Sequence, residues 1–299
     1  MSSFSTICFI NNYNNERFIS ECLDSVFAQT IPFDQVIVVD DGSTDDSLKI
    51  LKHYQVTHPQ LEVLQKENGG QLSTFNFVVK SIPINSQVFL LDGDDAYPPD
   101  YLELVLTQFK NMPWDFAFCE RRDFYGLSDE ALKTAKISSA PSITLKKTSA
   151  LTRSRHCWIG NITSTISLSG AVFRKIFPYP HPISKTFWTD NLMIFATSIL
   201  GFEKTSLPGI TIGWRPHDGN DSKKVHSASY LLDKKLATEQ VFQFYCEQAN
   251  KPRYPSIREF YEELNALPKP WIDHLRLPNH WLLLNRLVRN RYLGWGIGK

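Results

Sequence analysis

Three carboxylates crowd one glycine in Asp92-Gly93-Asp94-Asp95, directly after the apolar run 88–91. Oxygen ligands at that density suit a hard divalent cation, Mg²⁺ or Mn²⁺. A second acidic pair, Asp40-Asp41, follows another apolar run, 36–39. Carboxylates at the carboxyl ends of buried strands stand where open α/β sheets bind ligands. A nucleotide diphosphate needs this division of labour. One carboxylate accepts a hydrogen bond from a base N–H or a ribose hydroxyl, and another holds a cation that neutralises the diphosphate. The chain has no Gly-x-Gly-x-x-Gly and no Gly-x-x-x-x-Gly-Lys-Ser/Thr. A glycine-rich helix start is therefore not expected to hold the phosphates, and a metal is the natural substitute. Each acidic pair alone also fits a solvated turn or a helix cap; recurrence at two strand ends is what points to chemistry.

The elements that must position these residues read as an alternation. Apolar runs at 6–10, 36–39 and 88–91, with the shorter mixed stretches 61–64 and 114–118, predict strands. Helical spacing separates them: Phe18, Ile19, Cys22, Leu23, Val26 and Phe27; then Leu48, Ile50 and Leu51, with Ser43 or Thr44 as cap; then 72–79; then Leu102 to Phe109 after Pro98-Pro99-Asp100. Strand and helix in turn predict an α/β fold, a doubly wound and mostly parallel sheet with right-handed crossovers. The stretch 121–155, rich in Ser, Thr and Lys, reads as an irregular connection or substrate-side insertion. Ser169 to Lys175 reads as a turn and short helix, 192–200 as an apolar helix, and 209–214 as a last strand emptying into Arg215-Pro216-His217. Beyond about Ala228 helical patterns dominate, broken by prolines. The expected division is therefore 1–227 and a helical extension, 228–299.

The composition is ordinary for a globular chain of 299 residues, and a net charge of +1 makes no global case for nucleic acid. Cys8, Cys22, Cys119, Cys157 and Cys246 are odd in number and scattered, so they read as reduced core thiols, not a disulfide framework or zinc site. No signal peptide is evident at the start, and no stretch reaches the roughly 18 apolar residues of a membrane span. The Asn-x-Ser/Thr triplets at Asn161 and Asn220 then read as chance matches. A cytoplasmic location is the expectation. The last segment, 280–294, sets Trp281, Leu284, Leu287, Val288 and Tyr292 against Asn285, Arg286, Arg289 and Asn290. With Arg276, Arg291, Trp295 and Lys299 it is a candidate contact with an anionic membrane at the inner face, or a helix that packs on its own domain or a partner.

With these motifs together, the chain resembles the glycosyltransferase family 2 enzymes of the GT-A fold. The resemblance rests on Ile10-Asn11-Asn12-Tyr13-Asn14, Cys22-Leu23-Asp24-Ser25-Val26-Phe27, Val39-Asp40-Asp41-Gly42-Ser43-Thr44-Asp45, Asn68-Gly69-Gly70 with Asn76, and Leu91-Asp92-Gly93-Asp94-Asp95 as the family's Asp-x-Asp. It continues more loosely through Ser169-Gly170, Trp188-Thr189-Asp190 and Trp214-Arg215-Pro216-His217. It implies a Rossmann-like nucleotide-binding sheet, a nucleotide-sugar donor with a UDP-sugar foremost, and Mn²⁺ or Mg²⁺. The acceptor would be a glycan, lipid-linked or protein-linked, as in polysaccharide biosynthesis. Asn11, Tyr13 and Asp41 are implied to hold base and ribose, with Asn76 in support. Asp92 is implied to contact ribose or metal, Asp94 to ligate the metal, and His217 to complete the metal or phosphate shell.

The resemblance makes Asp190 the general base of a single displacement with inversion. The family usually has Glu-Asp where this chain has Thr189-Asp190, and the missing like charge is expected to leave the base with a lower pKa. Asp190 also fits an N-terminal cap of the following helix. Two other readings remain: a GT-A-like module that binds a nucleotide-sugar or glycan without transfer, and a phosphohydrolase of the haloacid dehalogenase type with Asp92 as nucleophile.

Overall fold

A computed structural model describes residues 4–182, 187–219, 227–269 and 271. The candidate membrane-facing segment 280–294 and Asn220 lie outside the described residues. The chain runs β1 (Ser5–Asn12), α1 (Ile19–Phe27), β2 (Gln35–Asp40), α2 (Ser47–Thr57), β3 (Leu61–Gln65), α3 (Gln71–Val78), β4 (Ser86–Asp92) and α4 (Tyr101–Gln108). It continues through β5 (Phe116–Asp123), β6 (Ile143–Leu145), α5 (Ser149–Arg155), β7 (Ile166–Ser169), α6 (Gly170–Ile176), α7 (Thr189–Leu200), β8 (Lys204–Trp214), α8 (Ala228–Gln248) and α9 (Ile257–Ala266).

One sheet holds all eight strands in the order β3-β2-β1-β4-β7-β5-β8-β6. β3, β2, β1 and β4 pair in parallel, as do β5 and β8, while β7 and β6 run antiparallel to their neighbours. The unbroken apolar runs follow from burial on both faces. Ile7, Phe9, Ile37, Val39, Val88 and Leu90 join one core with α3, α6 and α7. Cys8, Ile10, Val36, Val38, Phe89 and Leu91 join the other with α1, α2 and α4. Each such side chain removed from water is worth about 1.5–3 kcal/mol. The two layers of helices therefore pin the strand register, and with it the strand ends.

Several expectations are corrected. The stretch 121–155 is not irregular throughout. β5 carries on to Asp123 by pairing Glu120 to Asp123 with Thr211 to Trp214 of β8, and Arg121 lies 4.1 Å over the Trp214 ring. α5 forms because Glu263 of α9 accepts hydrogen bonds from the Ala150 and Leu151 N–H groups, at 2.7 and 3.0 Å. Neither Ser43 nor Thr44 caps α2. Ser43 instead donates to Asp40 at 2.6 Å, bracing the end of β2.

Past residue 227 the chain stays in the first core: Ala237, Val241, Phe242, Tyr245 and Cys246 of α8 and Phe260 and Leu264 of α9 belong to it. All five cysteines are free and buried. Among the described residues no helix is long and apolar enough to cross a membrane.

Candidate active site

The chain lays down β1, β2 and β3 in one direction and then returns to place β4 on the other side of β1. The crevice at the carboxyl ends of β1 and β4 is thus a topological switch point, the place where such sheets bind ligands. Parallel register sets Asn11 opposite Asp92 and Asn12 opposite Asp40. Their side chains bond across, Asn11 Nδ2 to Asp92 Oδ1 at 2.5 Å and Asn12 Nδ2 to Asp40 Oδ2 at 2.9 Å. Gly93 follows at once. A Cβ there would come within 2.8 Å of Asn12 Oδ1 and 2.9 Å of Asn15 Nδ2. The missing side chain thus admits the loop after β1.

The crevice holds two adjoining cavities that share Asn11, Tyr13 and Gln71. One, of about 400 Å³, is lined by Asp41, Asn68, Gly70 and Thr74. The other, of about 370 Å³, is lined by Asp92, Gly93, Asp94, Trp214 and His217. A larger hollow of about 650 Å³ opens at the amino ends of β4 and β5, around Gln87 and Trp114. It lies at the far end of the sheet from the clustered acids, so size does not pick out the site; chemistry does.

In the first cavity Asp41 is almost fully buried and heavily engaged. Lys66 Nζ lies 2.5 Å from its Oδ1, Gly69 N–H donates to Oδ1 at 3.0 Å, and Gly70 N–H donates to Oδ2 at 2.7 Å. Its carboxylate therefore shapes the Asn68-Gly69-Gly70 loop. Tyr13 stands over both cavities, 47% exposed. Asn76 lines neither. Its side-chain amide donates to the Tyr179 carbonyl at 3.0 Å and accepts from the Tyr179 N–H at 2.8 Å, tying α3 to the chain after α6.

In the second cavity Asp94 Oδ2 meets His217 Nε2 at 2.8 Å. They are far apart in sequence, and the intervening machinery explains the meeting. Ala96 and Gly213 exchange both backbone hydrogen bonds. Asp95 is buried and accepts from Arg215 N at 2.9 Å and from Ser164 Oγ at 2.5 Å. The Arg215 side chain donates to the Asp94 carbonyl and to Glu21 Oε2, at 2.9 and 2.7 Å, and its guanidinium lies 5.0 and 4.2 Å from the Phe18 and Phe124 rings. Asp95 and Arg215 thus fix the Asp94 loop from beneath.

Burial, and then the charge of Asp94, push the Asp92 carboxyl up to about 7. A bound cation would reverse that direction, because its charge favours ionised carboxylates. The donor set fits a cation that arrives with a ligand. Asp94 and His217 converge, whereas among the described residues no three His, Cys, Asp or Glu side chains form a metal-holding group. Asp92 therefore does not complete a three-residue site with them. Mg²⁺ and Mn²⁺ commonly take one or two protein ligands and fill the remaining positions with phosphate oxygens and water.

Asp190 is the second residue of α7 and 6% exposed. It does not cap the helix; Trp188 holds that position. Among the described residues its Oδ1 has no hydrogen-bond partner, nor do Thr189 Oγ1 and Asn191 Nδ2. Buried polar atoms without partners are rare in native folds and call for a reason. Burial raises the Asp190 carboxyl to about 6, against the backbone N–H of Asn191 and the charge of Lys234, which lower it. The missing acidic neighbour does not leave the group low, as expected; desolvation overrides it. Asp190 in turn raises Asp92, which marks the two as electrostatic neighbours.

Gln71 was not singled out from the sequence, and neither was the supporting role of Arg215. Gln71 Nε2 donates to Asp92 Oδ1 at 3.1 Å, and its Oε1 accepts from Thr189 N at 3.3 Å. Its place directly after Asn68-Gly69-Gly70, at the start of α3, was the available signal.

Comparison with known proteins gives concordant results. The sequence profile described as Glycosyl transferase family 2 matches residues 8–177. An uncharacterized glycosyltransferase of Nostoc sp. is 27% identical over 221 residues, covering 74% of this chain and 67% of that protein. Escherichia coli chondroitin synthase is 36% identical over 102 residues, 34% of this chain but only 15% of the synthase. Among solved structures, S. aureus TarS 1–349 in complex with UDP-GlcNAc aligns with a TM-score of 0.56 at 20% identity, covering 88% of this chain and 79% of that one. Mannosyltransferase PcManGT from Pyrobaculum calidifontis, in complex with GDP-Man and Mn²⁺, aligns with a TM-score of 0.57 at 18% identity, covering 99% and 76%. At such identities the structural likeness speaks for the fold.

Proposed function

The chain belongs to glycosyl transferase family 2 and has the GT-A architecture, and from that premise we propose an inverting, metal-dependent transfer of a sugar from a nucleoside-diphosphate donor to an acceptor hydroxyl. One observation carries the reading. The Asp94–His217 pair and Asp92 stand at the switch-point crevice, and a buried carboxylate, Asp190, whose Oδ1 has no partner among the described residues, neighbours Asp92 from a different part of the chain.

In this reading the nucleoside lies over the Asp41–Gly70 cavity, with Asn11 and Tyr13 against base and ribose. Asp94 and His217 would hold Mn²⁺ or Mg²⁺ beside the diphosphate. When bound, the cation neutralises charge growing on the leaving phosphates. Asp190 takes the proton of the acceptor hydroxyl as its oxygen attacks the anomeric carbon and the bond to the diphosphate breaks. Its desolvated oxygen is suited to that proton because no group among the described residues hydrogen-bonds to it. UDP-sugars are the donors we favour, and a glycan or a lipid- or protein-linked sugar the acceptor. We further propose that 1–227 carries the transferase chemistry and that α8 and α9, in the extension 228–299, complete its core.

A phosphohydrolase reading is set aside by the family match and by Asp92 itself, whose Oδ1 is held by Asn11 and Gln71. The test is a panel of UDP- and GDP-sugars with Mn²⁺, read by thermal stabilisation and by release of nucleoside diphosphate. Metal-dependent release that Asp94→Ala and Asp190→Ala each abolish is the expected result. Stabilisation without turnover by the wild type would make the chain a binding module instead. No stabilisation by any donor would overturn the donor site.

A further inference from the structure

Gln71 is the first residue of α3. The residue before it, Gly70, has φ of +83° and gives its N–H to Asp41. The nucleoside side of the crevice therefore sets where Gln71 begins. Its side chain then reaches two other elements, Asp92 at the end of β4 and Thr189 at the start of α7.

The chemistry of those two partners dictates the amide's orientation. A carboxylate bonded at this distance accepts and a backbone N–H only donates, so the NH₂ must face Asp92 and the carbonyl must face Thr189. The reverse orientation would set oxygen against oxygen. α7 also needs such a partner. First-turn N–H groups have no partner within their own helix, and Trp188 at the N-cap position makes no side-chain capping bond to them. Gln71 satisfies one of them from another element, one residue away from Asp190.

We infer that Gln71 is a positioning residue, an amide strut that holds the Asp190 end of α7 against the Asp92 end of β4, so that sugar transfer depends on it while nucleotide binding does not. The inference rests on the proposed function, because it takes Asp190 as the base and Asp92 as part of the donor side. A strut of this kind acts on the distance between base and donor, and misplacement by about 1 Å costs on the order of 10²-fold in rate.

Gln71→Met keeps the length and shape of the side chain and removes both hydrogen bonds. The nucleotide-sugar that the wild type turns over fastest in the panel is the kinetic probe. UDP with Mn²⁺, titrated calorimetrically, is the binding probe, and thermal unfolding monitors the fold. The expected result is a fall in kcat on the order of 10²-fold with unchanged affinity for UDP and a modestly lower Tm, because the buried Thr189 N–H loses its acceptor. Wild-type kcat in Gln71→Met overturns the inference. So does a parallel loss of UDP affinity, which would make Gln71 part of the donor grip. A lowered Tm with kcat retained also overturns it, because Gln71 would then serve only as a helix cap. Should Gln71→Met not fold, Gln71→Asn, which keeps the amide one methylene short, is read in the same way. A wild type that turns over none of the panel overturns the functional reading, and this inference with it. An active wild type matched by its variant overturns this inference alone.

Discussion

Asp190 is a carboxylate that the fold keeps against its own stability. Burial raises it from 3.8 to about 6, so its charged form is worse off folded than unfolded. A raised acid stabilises the fold only while protonated; that contribution is whole below 3.8 and is lost as pH climbs through about 6. Above that the buried charge costs on the order of 3 kcal/mol. Asp190→Asn is therefore predicted to raise Tm at pH 8 and to leave it unchanged near pH 3, while lowering transfer by about 10²–10⁴-fold. A residue kept for helix capping would show the opposite, a lower Tm. The same value predicts the acid limb of the rate. In the free enzyme kcat/KM should fall as pH drops through about 6, and a profile flat down to pH 4 would remove Asp190 as the base.

At the scale of elements, the decisive feature is the crossing of the β4 loop with the end of β8. Asp94 and His217 meet because Asp95 accepts from Arg215 and Ser164, and because Arg215 is wedged between Phe18 and Phe124. Asp95→Ala leaves buried donors without acceptors, at about 1–3 kcal/mol each. The expected outcome is a lower Tm together with lost Mn²⁺-dependent turnover. Asp94→Ala, by contrast, should lose turnover with no fall in Tm, since it removes a carboxylate from a crowded acidic site. Equal thermal losses in both variants would show that Asp95 is not the strut. Gly93 belongs to the same scale. An added methyl must displace Asn12 or Asn15, at about 1–3 kcal/mol for overpacking.

For the whole molecule, the core that carries α7 does not end with the sheet. Phe242 of α8 is fully buried, its ring centroid 5.0 Å from that of Phe195 on α7. Phe242→Ala is expected to cost about 3–5 kcal/mol. Calorimetry of the full chain should show one transition, and a chain ending at 227 should fail to fold, because α7 would expose the face that α8 covers. A stable, folded 1–227 fragment would contradict this. It follows that α8 supports α7, the helix that carries Asp190.

The sequence by itself determined the parallel half of the sheet and the strand-end acids. Runs such as Val88-Phe89-Leu90-Leu91 are apolar because both faces of β4 are covered, and a run that stops on Asp92 has to place it at the strand's carboxyl end. Local pattern suffices there because the signal and its cause sit in the same few residues. It did not reveal β7, a four-residue strand whose partners β4 and β5 lie far along the chain, or α5, which depends on Glu263 for its N-terminal bonds. Nor did it separate the acids by task. Asp41 became the anchor of a loop, Asp95 a buried strut, and Asn76 a clamp on Tyr179 only through partners that tertiary contact supplies. The amide of Gln71 between Asp92 and Thr189 is of the same kind. Hydrogen bonds across 21 and 118 residues leave no periodic trace, so packing alone decided them.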